Sequence, residues 1–189
     1  MHKFNPQNRK KLDSAERRRI LPANQILENF LLRSEDIMAD IGCGIGYFTF
    51  PASNIINNEG KIYALDISES MLQEVEDRIN EKKIQNVITI KTEEYDLKLP
   101  DQSITYAFMC TMLHELSDKE RFISEVGRIL QRGGKMVIID WEKKETDMGP
   151  PLAGRFGREE AKALLQSQGL KIVKEDTISH RFYGIEAIK

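Results

Sequence analysis

The sequence predicts an α/β fold, a doubly wound and mostly parallel sheet whose last strand runs antiparallel. Three observations point there. Short apolar runs such as "MVII" lack the period-two alternation of half-solvated strands, so they suit strands covered on both faces. These runs alternate with segments of helical periodicity, the pattern of βα units joined by right-handed crossovers. Only the last two runs follow each other without a helical segment, and the few residues around Ser179 allow just a hairpin, which sets the final strand antiparallel.

The N-terminal stretch "HKFNPQNRKKLDSAERRRILP" is polar, basic and broken by Pro6 and Pro22, so it reads as an irregular arm carrying a short helix at Ser14 to Leu21. One reading makes it a lid or acceptor-facing flap. The other makes it a solvated arm packed on the domain, since runs such as Arg17 to Arg19 are usually exposed. Pro22 suits the first turn of the next helix, where Ile26, Leu27, Phe30 and Leu31 recur on one face. The strands follow at Ile37 to Ile41, Lys61 to Leu65, Val87 to Lys91, Ile104 to Cys110, Lys135 to Trp141, Leu170 to Asp176 and Phe182 to Ile188. Helices fill the gaps at Tyr47 to Asn57, Ser70 to Lys82, Lys119 to Leu130 and Arg158 to Gln168. Punctuation agrees, with Asn57 to Gly60, Pro100 to Ser103 and Gly133-Gly134 between elements. The expected division is residues 1–33 as an arm and helix capping the site, and 34–189 as one domain.

Bulk properties narrow the function classes. A chain of 189 residues buries one substantial core but is short for two domains and a linker. Its 40% hydrophobic and 31% charged residues are those of a soluble globular protein, and a formal net charge of -2 gives no global attraction to nucleic acid. No apolar run approaches the ~20 residues of a membrane helix, and the charged start lacks a signal-peptide core, so a cytoplasmic location is expected. Cys43 and Cys110 make no disulfide framework, and His2, His114 and His180 lie far apart, so no metal is expected.

The stretch "IMADIGCGIGYFTF" carries the chemistry. Ligands of such sheets bind beyond the carboxyl ends of the strands, where the strand order reverses. Gly42, Gly44 and Gly46 end the first strand there and let the backbone turn tightly and approach a ligand. A GxGxG alone also suits a plain turn. Asp66, ending the second strand in "YALDIS", stands at roughly the twenty-residue offset of an acid that binds a ribose, whose two hydroxyls can donate to its two oxygens. Its plainer role is to cap the helix near Ser68, although Ser68 is the better cap. Asp40 decides between ligands. A carboxylate just before the loop repels a pyrophosphate and attracts an ammonium or a sulfonium. That disfavours a nicotinamide dinucleotide and favours S-adenosyl-L-methionine, which carries both cations.

The segments "DIGCGIGYFT", "YALDISESML", "LPDQSITYAFMCTMLHEL" and "EVGRILQRGGKMVIIDW" resemble class I S-adenosylmethionine-dependent methyltransferases, especially the small-molecule branch that includes quinone-biosynthesis enzymes. The resemblance runs from about Ile37 to Trp141. It implies a Rossmann-like seven-stranded sheet of order 3-2-1-4-5-7-6. It also implies that Asp40 and the backbone from Gly42 through Cys43 and Gly44 to Gly46 hold the methionine moiety, and that Asp66 holds the ribose. Ile67 and Met71 then flank the adenine, Glu93 or the adjacent Glu94 receives its amino group, and Cys110 joins the cofactor-facing set. The chain departs from the family pattern at Ile104 and Thr105 in "PDQSIT", at Arg132 in "LQRGG" and at Glu93, where Asp is usual.

Methyl transfer from a sulfonium is an in-line displacement that needs positioning and exclusion of water more than a dedicated nucleophile. A base helps only when the acceptor must lose a proton, and His114 is the candidate; its plainer role is to open the following helix. The long loop "DWEKKETDMGPPLAGRFG" either walls an acceptor pocket with Asp140, Trp141, Met148 and Pro150-Pro151 or is a surface excursion pinned by its prolines. The absence of [DN]PP[YF] after the fourth strand disfavours methylation of a base nitrogen, and two packed thiols disfavour arsenic. The expectation is a small-molecule methyl acceptor. Alternatives are a non-catalytic S-adenosylmethionine-binding protein and an RNA-modifying methyltransferase using the basic arm at Arg9 to Lys11 and Arg17 to Arg19. A homodimer stands as an open expectation.

Overall fold

The computed structural model describes residues 13–56 and 60–189. The expectations for His2, Pro6, the basic run Arg9 to Lys11 and most of the turn from Asn57 to Gly60 lie outside these residues. Ser14 starts α1 (Ala15–Ile20) by accepting the Arg17 N–H on its hydroxyl at 3.1 Å. The elements α2 (Ala23–Asn29), β1 (Ile37–Ile41), α3 (Thr49–Ile55), β2 (Lys61–Asp66), α4 (Glu69–Lys82) and β3 (Val87–Lys91) come next. They are followed by β4 (Ile104–Cys110), α5 (Lys119–Ile129), β5 (Leu130–Trp141), α6 (Arg158–Ser167), β6 (Lys171–Ser179) and β7 (Phe182–Ile188).

The seven strands form one sheet in the order β3-β2-β1-β4-β5-β7-β6, with β7 antiparallel to both neighbours. The order reverses beside β1, which pairs with β2 on one side and β4 on the other, so the crevice forms past Ile41, Leu65 and Met109.

The strand residues explain why the apolar runs are continuous. Along β4, Tyr106 and Phe108 belong to one core, while Ala107 and Met109 belong to the other. Along β5, Val137 and Ile139 face the first core, and Met136 and Ile138 the second. One layer is covered by α2, α3 and α4 through Leu27, Phe50, Leu72 and Val75, the other by α5 and α6 through Phe122, Val126, Ala161 and Leu165. Each such side chain removed from water contributes ~1.5–3 kcal/mol, so a strand of this sheet gains from both faces.

Two local expectations need correction. Gly133-Gly134 does not separate elements, because β5 begins at Leu130 and runs through the pair. The Gly133 N–H donates to the Lys189 carbonyl at 2.9 Å and the Lys189 N–H to the Gly134 carbonyl at 3.1 Å, so pairing with the chain end keeps the segment in the ladder despite a φ of +77° at Gly133. Leu31 is not on the buried face of α2. The helix stops at Asn29, and Leu31 adopts φ 53° with 57% exposure, leaving Ile26, Leu27 and Phe30 buried. Thr105 and Asp36 tie the start of β4 to the start of β1: the Thr105 hydroxyl accepts the Ile37 N–H at 3.0 Å and donates to Asp36 at 2.7 Å.

Among the described residues no helix is long and apolar enough to cross a membrane, and no group of three His, Cys, Asp or Glu side chains is arranged around a metal site.

Candidate functional site

At the end of β1 the chain leaves the sheet through Gly42, Gly44 and Gly46, with φ of +71°, +54° and +82°. These are backbone positions that only glycine adopts without strain. The Gly42 and Cys43 N–H groups both donate to the Leu65 carbonyl, at 2.8 and 3.0 Å, which hangs the loop from the end of β2. A Cβ on Gly42 would stand 2.8 Å from the sulfur of Met112, so the approach of the segment after β4 also depends on this glycine.

Asp66 braces the same loop. One carboxylate oxygen accepts the Gly44 N–H at 2.9 Å and the other accepts the Ser68 N–H at 2.8 Å. Ser68 is the N-cap of α4 but makes no side-chain cap bond, so Asp66 also serves the helix start. Each carboxylate oxygen has more than one lone pair, and Asp66 keeps acceptor capacity for hydroxyls of a ligand. Burial raises its pKa, opposed by the N–H groups of Ser68, Gly44 and Ile67.

Asp40 is buried behind the loop and accepts the Thr49 hydroxyl at 2.5 Å. Burial pushes its pKa up to about 7, the Thr49 hydroxyl opposes this, and the nearby Asp66 charge adds to it. Among the described residues its hydrogen-bond partner is Thr49 and its charged neighbour is the acid Asp66. An acid of this kind is a site whose electrostatics improve when a positively charged ligand arrives.

A cavity of about 370 Å³ opens at this point, lined by Asp40, Gly42, Cys43, Gly44, Asp66, Ile67, Met71, Glu93, Glu94 and Cys110. Its size is ordinary for a small-molecule site. Ten of the residues singled out from the sequence therefore meet in one place. Gly46 is not in the lining; its N–H donates to the Cys43 carbonyl at 2.9 Å, and it shapes the loop from behind. Glu93 pairs with Lys98 at 3.2 Å, and Glu94 accepts from the Tyr95 hydroxyl at 2.9 Å and the Ser117 hydroxyl at 3.3 Å. Burial raises both thiol pKa values, that of Cys110 to about 12, so neither thiol is a ready nucleophile.

His114 does not line the cavity. Its Nδ1 lies 2.8 Å from Asp140, whose carboxylate also accepts the backbone N–H of His114 at 3.2 Å and of Trp141 at 2.8 Å. Burial disfavours the imidazolium, but the hydrogen bond and charge of Asp140, with Glu115 adding, leave the His114 pKa above its ordinary value. The neighbour that faces the cavity is Glu115, 3.9 Å from His114 Nε2.

The long loop after β5 also stays out of the lining. Trp141 stacks on Phe182 with ring centroids 4.2 Å apart, and the loop is rolled around buried Arg155. The Arg155 guanidinium donates to the carbonyls of Pro150, Glu142, Lys144 and Met148 and to the Thr146 hydroxyl, at 2.7 to 3.2 Å. An arginine, rather than the prolines, pins this excursion.

Sequence reasoning missed several lining residues, among them Arg17, Tyr47, Thr92, Met112, Glu115 and Phe122. Met112 and Glu115 lay in the quoted "CTMLHEL", immediately after a strand end that the fold points at the ligand. Nothing in the sequence separated Arg17 from its two neighbouring arginines.

Comparison with known proteins agrees with this geometry. Residues 39–138 match the family model described as a methyltransferase domain. The chain is 24% identical over 152 residues to a ubiquinone/menaquinone biosynthesis C-methyltransferase of Marinomonas sp., covering 80% of this chain and 59% of that protein. It is 30% identical over 101 residues to a demethylmenaquinone methyltransferase of Geobacillus stearothermophilus, covering 53% of this chain and 43% of that one. The chain thus spans about half the length of the curated relatives it matches. A crystal structure of a SAM-dependent methyltransferase from Aquifex aeolicus superposes with a TM-score of 0.93 at 30% identity, covering 98% of this chain and 99% of that one.

Proposed function

The chain belongs to the methyltransferase domain family, and from that premise we propose that it moves a methyl group from S-adenosyl-L-methionine to a small organic acceptor by in-line displacement. The observation that carries the reading is Asp40, a buried acid raised to about 7 behind the glycine loop and at the edge of the cavity. A ligand bearing an ammonium and a sulfonium relieves that arrangement.

When bound, S-adenosylmethionine supplies a methyl group on a cationic sulfur with a neutral leaving group. The chain's residues do the rest. Asp40 and the backbone from Gly42 to Gly46 hold the methionine end, Asp66 accepts the ribose hydroxyls, and Ile67 and Met71 flank the adenine. Glu93 or Glu94 takes the adenine amino group, and Cys110 closes the floor at the end of β4. Phe48, Met112, Leu116 and Phe122 supply an apolar part of the lining that helps to exclude water. Where an acceptor must lose a proton, Glu115 faces the cavity with His114 behind it. Residues 14–33 cap the site, as Arg17 in the lining and the hydrogen bond from the Tyr47 hydroxyl to the Leu21 carbonyl support, and residues 34–189 form the catalytic domain.

The names of the curated relatives support a quinone precursor or a similar small ring as acceptor. Two free cysteines suit a reducing, cytoplasmic setting. Incubation with S-adenosylmethionine labelled in the methyl group and a panel of quinols, phenols and enolic acids tests the proposal. Transfer of label to one class supports it. Tight cofactor binding with no transfer to any of them favours a non-catalytic binding protein.

A further inference from the structure

The glycine loop is fastened from behind as well as from the sheet. Phe50, in the first turn of α3, donates its backbone N–H to the Gly46 carbonyl at 3.2 Å. Its buried ring packs on the same residue, for a Cβ on Gly46 would stand 2.5 Å from a ring carbon. The Arg78 guanidinium lies over this ring, 4.0 Å from its centroid, and one of its N–H groups donates to the Ile45 carbonyl at 3.0 Å. A stacked plane and a directed donor together hold the guanidinium in one orientation. Two successive carbonyls of the loop, those of Ile45 and Gly46, are thereby taken up by α4 and α3.

The place of Arg78 on α4 gives this contact a consequence for the cavity. Arg78 stands two turns after Met71, so the two side chains share one side of the helix. Met71 and Ile45 line the cavity and Arg78 does not, so Arg78 acts on it only through the loop. The start of α4 is tied to the same loop by Asp66, which joins the N–H groups of Gly44 and Ser68. The helix therefore grips the loop near Ser68 and again at Arg78, about 15 Å further along its axis. A loop held at one point can pivot, whereas a loop held at two keeps a fixed distance from the helix that carries Met71.

We infer that Arg78 is a positioning residue of this cavity: through the Ile45 carbonyl and the Phe50 ring it locks the glycine loop against α4, so that the loop favours a nucleoside carrying an amino-acid tail over one without it. The inference rests on the reading of the cavity as the methyl-transfer site, in which the loop meets the methionine end and Ile67 and Met71 meet the adenine. Loosening the loop then costs affinity only for a ligand that reaches it.

The test uses the full chain and the variants Arg78→Gln and Arg78→Lys, titrated by calorimetry with S-adenosylhomocysteine and with 5′-methylthioadenosine, which lacks the amino-acid end. Arg78→Gln should weaken S-adenosylhomocysteine about threefold to tenfold, the equivalent of one net hydrogen bond, and leave methylthioadenosine unchanged. A purely structural role would lower the melting temperature and weaken both nucleosides alike, and that result overturns the inference. Equal binding of each nucleoside to wild type and Arg78→Gln overturns it as well. Failure of wild type to bind either nucleoside overturns the reading of the cavity itself. Arg78→Lys keeps a cationic donor for the Ile45 carbonyl but not the stacked plane, so it should show a smaller loss with the same selectivity. It serves if the glutamine variant folds poorly, and a lysine variant that weakens both nucleosides equally again overturns the inference.

Discussion

Replacing Asp40 by Asn is predicted to stabilise the ligand-free protein while abolishing its attraction for the cofactor. The carboxyl rises from 3.8 in the unfolded chain to about 7 in the fold, chiefly through burial. A raised acid binds protons more tightly when folded. Its contribution is therefore most favourable below pH 3.8, declines as pH rises toward about 7, and remains a full penalty above that. Roughly 3 units correspond to a ceiling of about 4 kcal/mol. The carboxylate takes both the hydroxyl and the backbone N–H of Thr49, whereas the amide has one acceptor oxygen. The gain that remains for Asp40→Asn at pH 8 is about 1–3 kcal/mol. Urea unfolding of both proteins without ligand, at pH 5 and pH 8, measures it. The variant should be the more stable at pH 8, with an advantage that shrinks at pH 5. A variant less stable than wild type at both values, by the same margin, refutes the reasoning. Calorimetry at pH 8 should show the opposite trend for S-adenosylhomocysteine, with binding lost in the stabilised variant.

Asp66→Ala removes the acceptor of the Gly44 and Ser68 N–H groups and the proposed ribose contacts. Cofactor affinity should fall by about 1.5–3 kcal/mol, read by titration; unchanged affinity removes Asp66 from the site. Arg155→Met deletes five hydrogen bonds and should cost about 2–4 kcal/mol. Limited proteolysis should then cut within residues 142–157 with cofactor affinity intact, and a loss of affinity instead would place this loop in the site. His114 has a raised pKa, so its pairing with Asp140 supplies stability that is fully present below 6.5 and is lost as pH rises through the raised value. His114→Gln should therefore lower the melting temperature more at pH 6 than at pH 9. A variant with unchanged melting and abolished turnover would restore His114 as the base.

The fold was readable because the signals that encode it are local. Apolar runs covered on both faces in the central strands β1, β4, β5 and β7, a hairpin too short for a crossover at Ser179 and glycines at a strand end each constrain the backbone without reference to distant residues. Asp40 and Asp66 were readable for the same reason, since a strand end fixes where its last side chains point. Gly133 was misread because its pairing is with Lys189, far along the sequence and beyond α6, β6 and β7. Leu31 satisfied the helical period but fell after the helix had stopped. Arg17 and Arg155 look like surface charges in sequence. Only the burial of Ile20 and Leu21 turns the first toward the cavity, and only the folding back of the loop encloses the second. His114 was placed one residue away from the side chain that faces the ligand, because the turn over Leu113–Glu115 directs neighbouring side chains apart.

The most direct test of the account is a calorimetric titration of the purified protein with S-adenosylmethionine, S-adenosylhomocysteine and NADH, with Asp40→Asn and Asp66→Ala in parallel. The account predicts that the first two ligands bind at one shared site and that both variants weaken them, with no binding of NADH. Binding of NADH alone, or cofactor binding indifferent to both substitutions, would contradict the assignment of Asp40 and Asp66 and of the cavity between them.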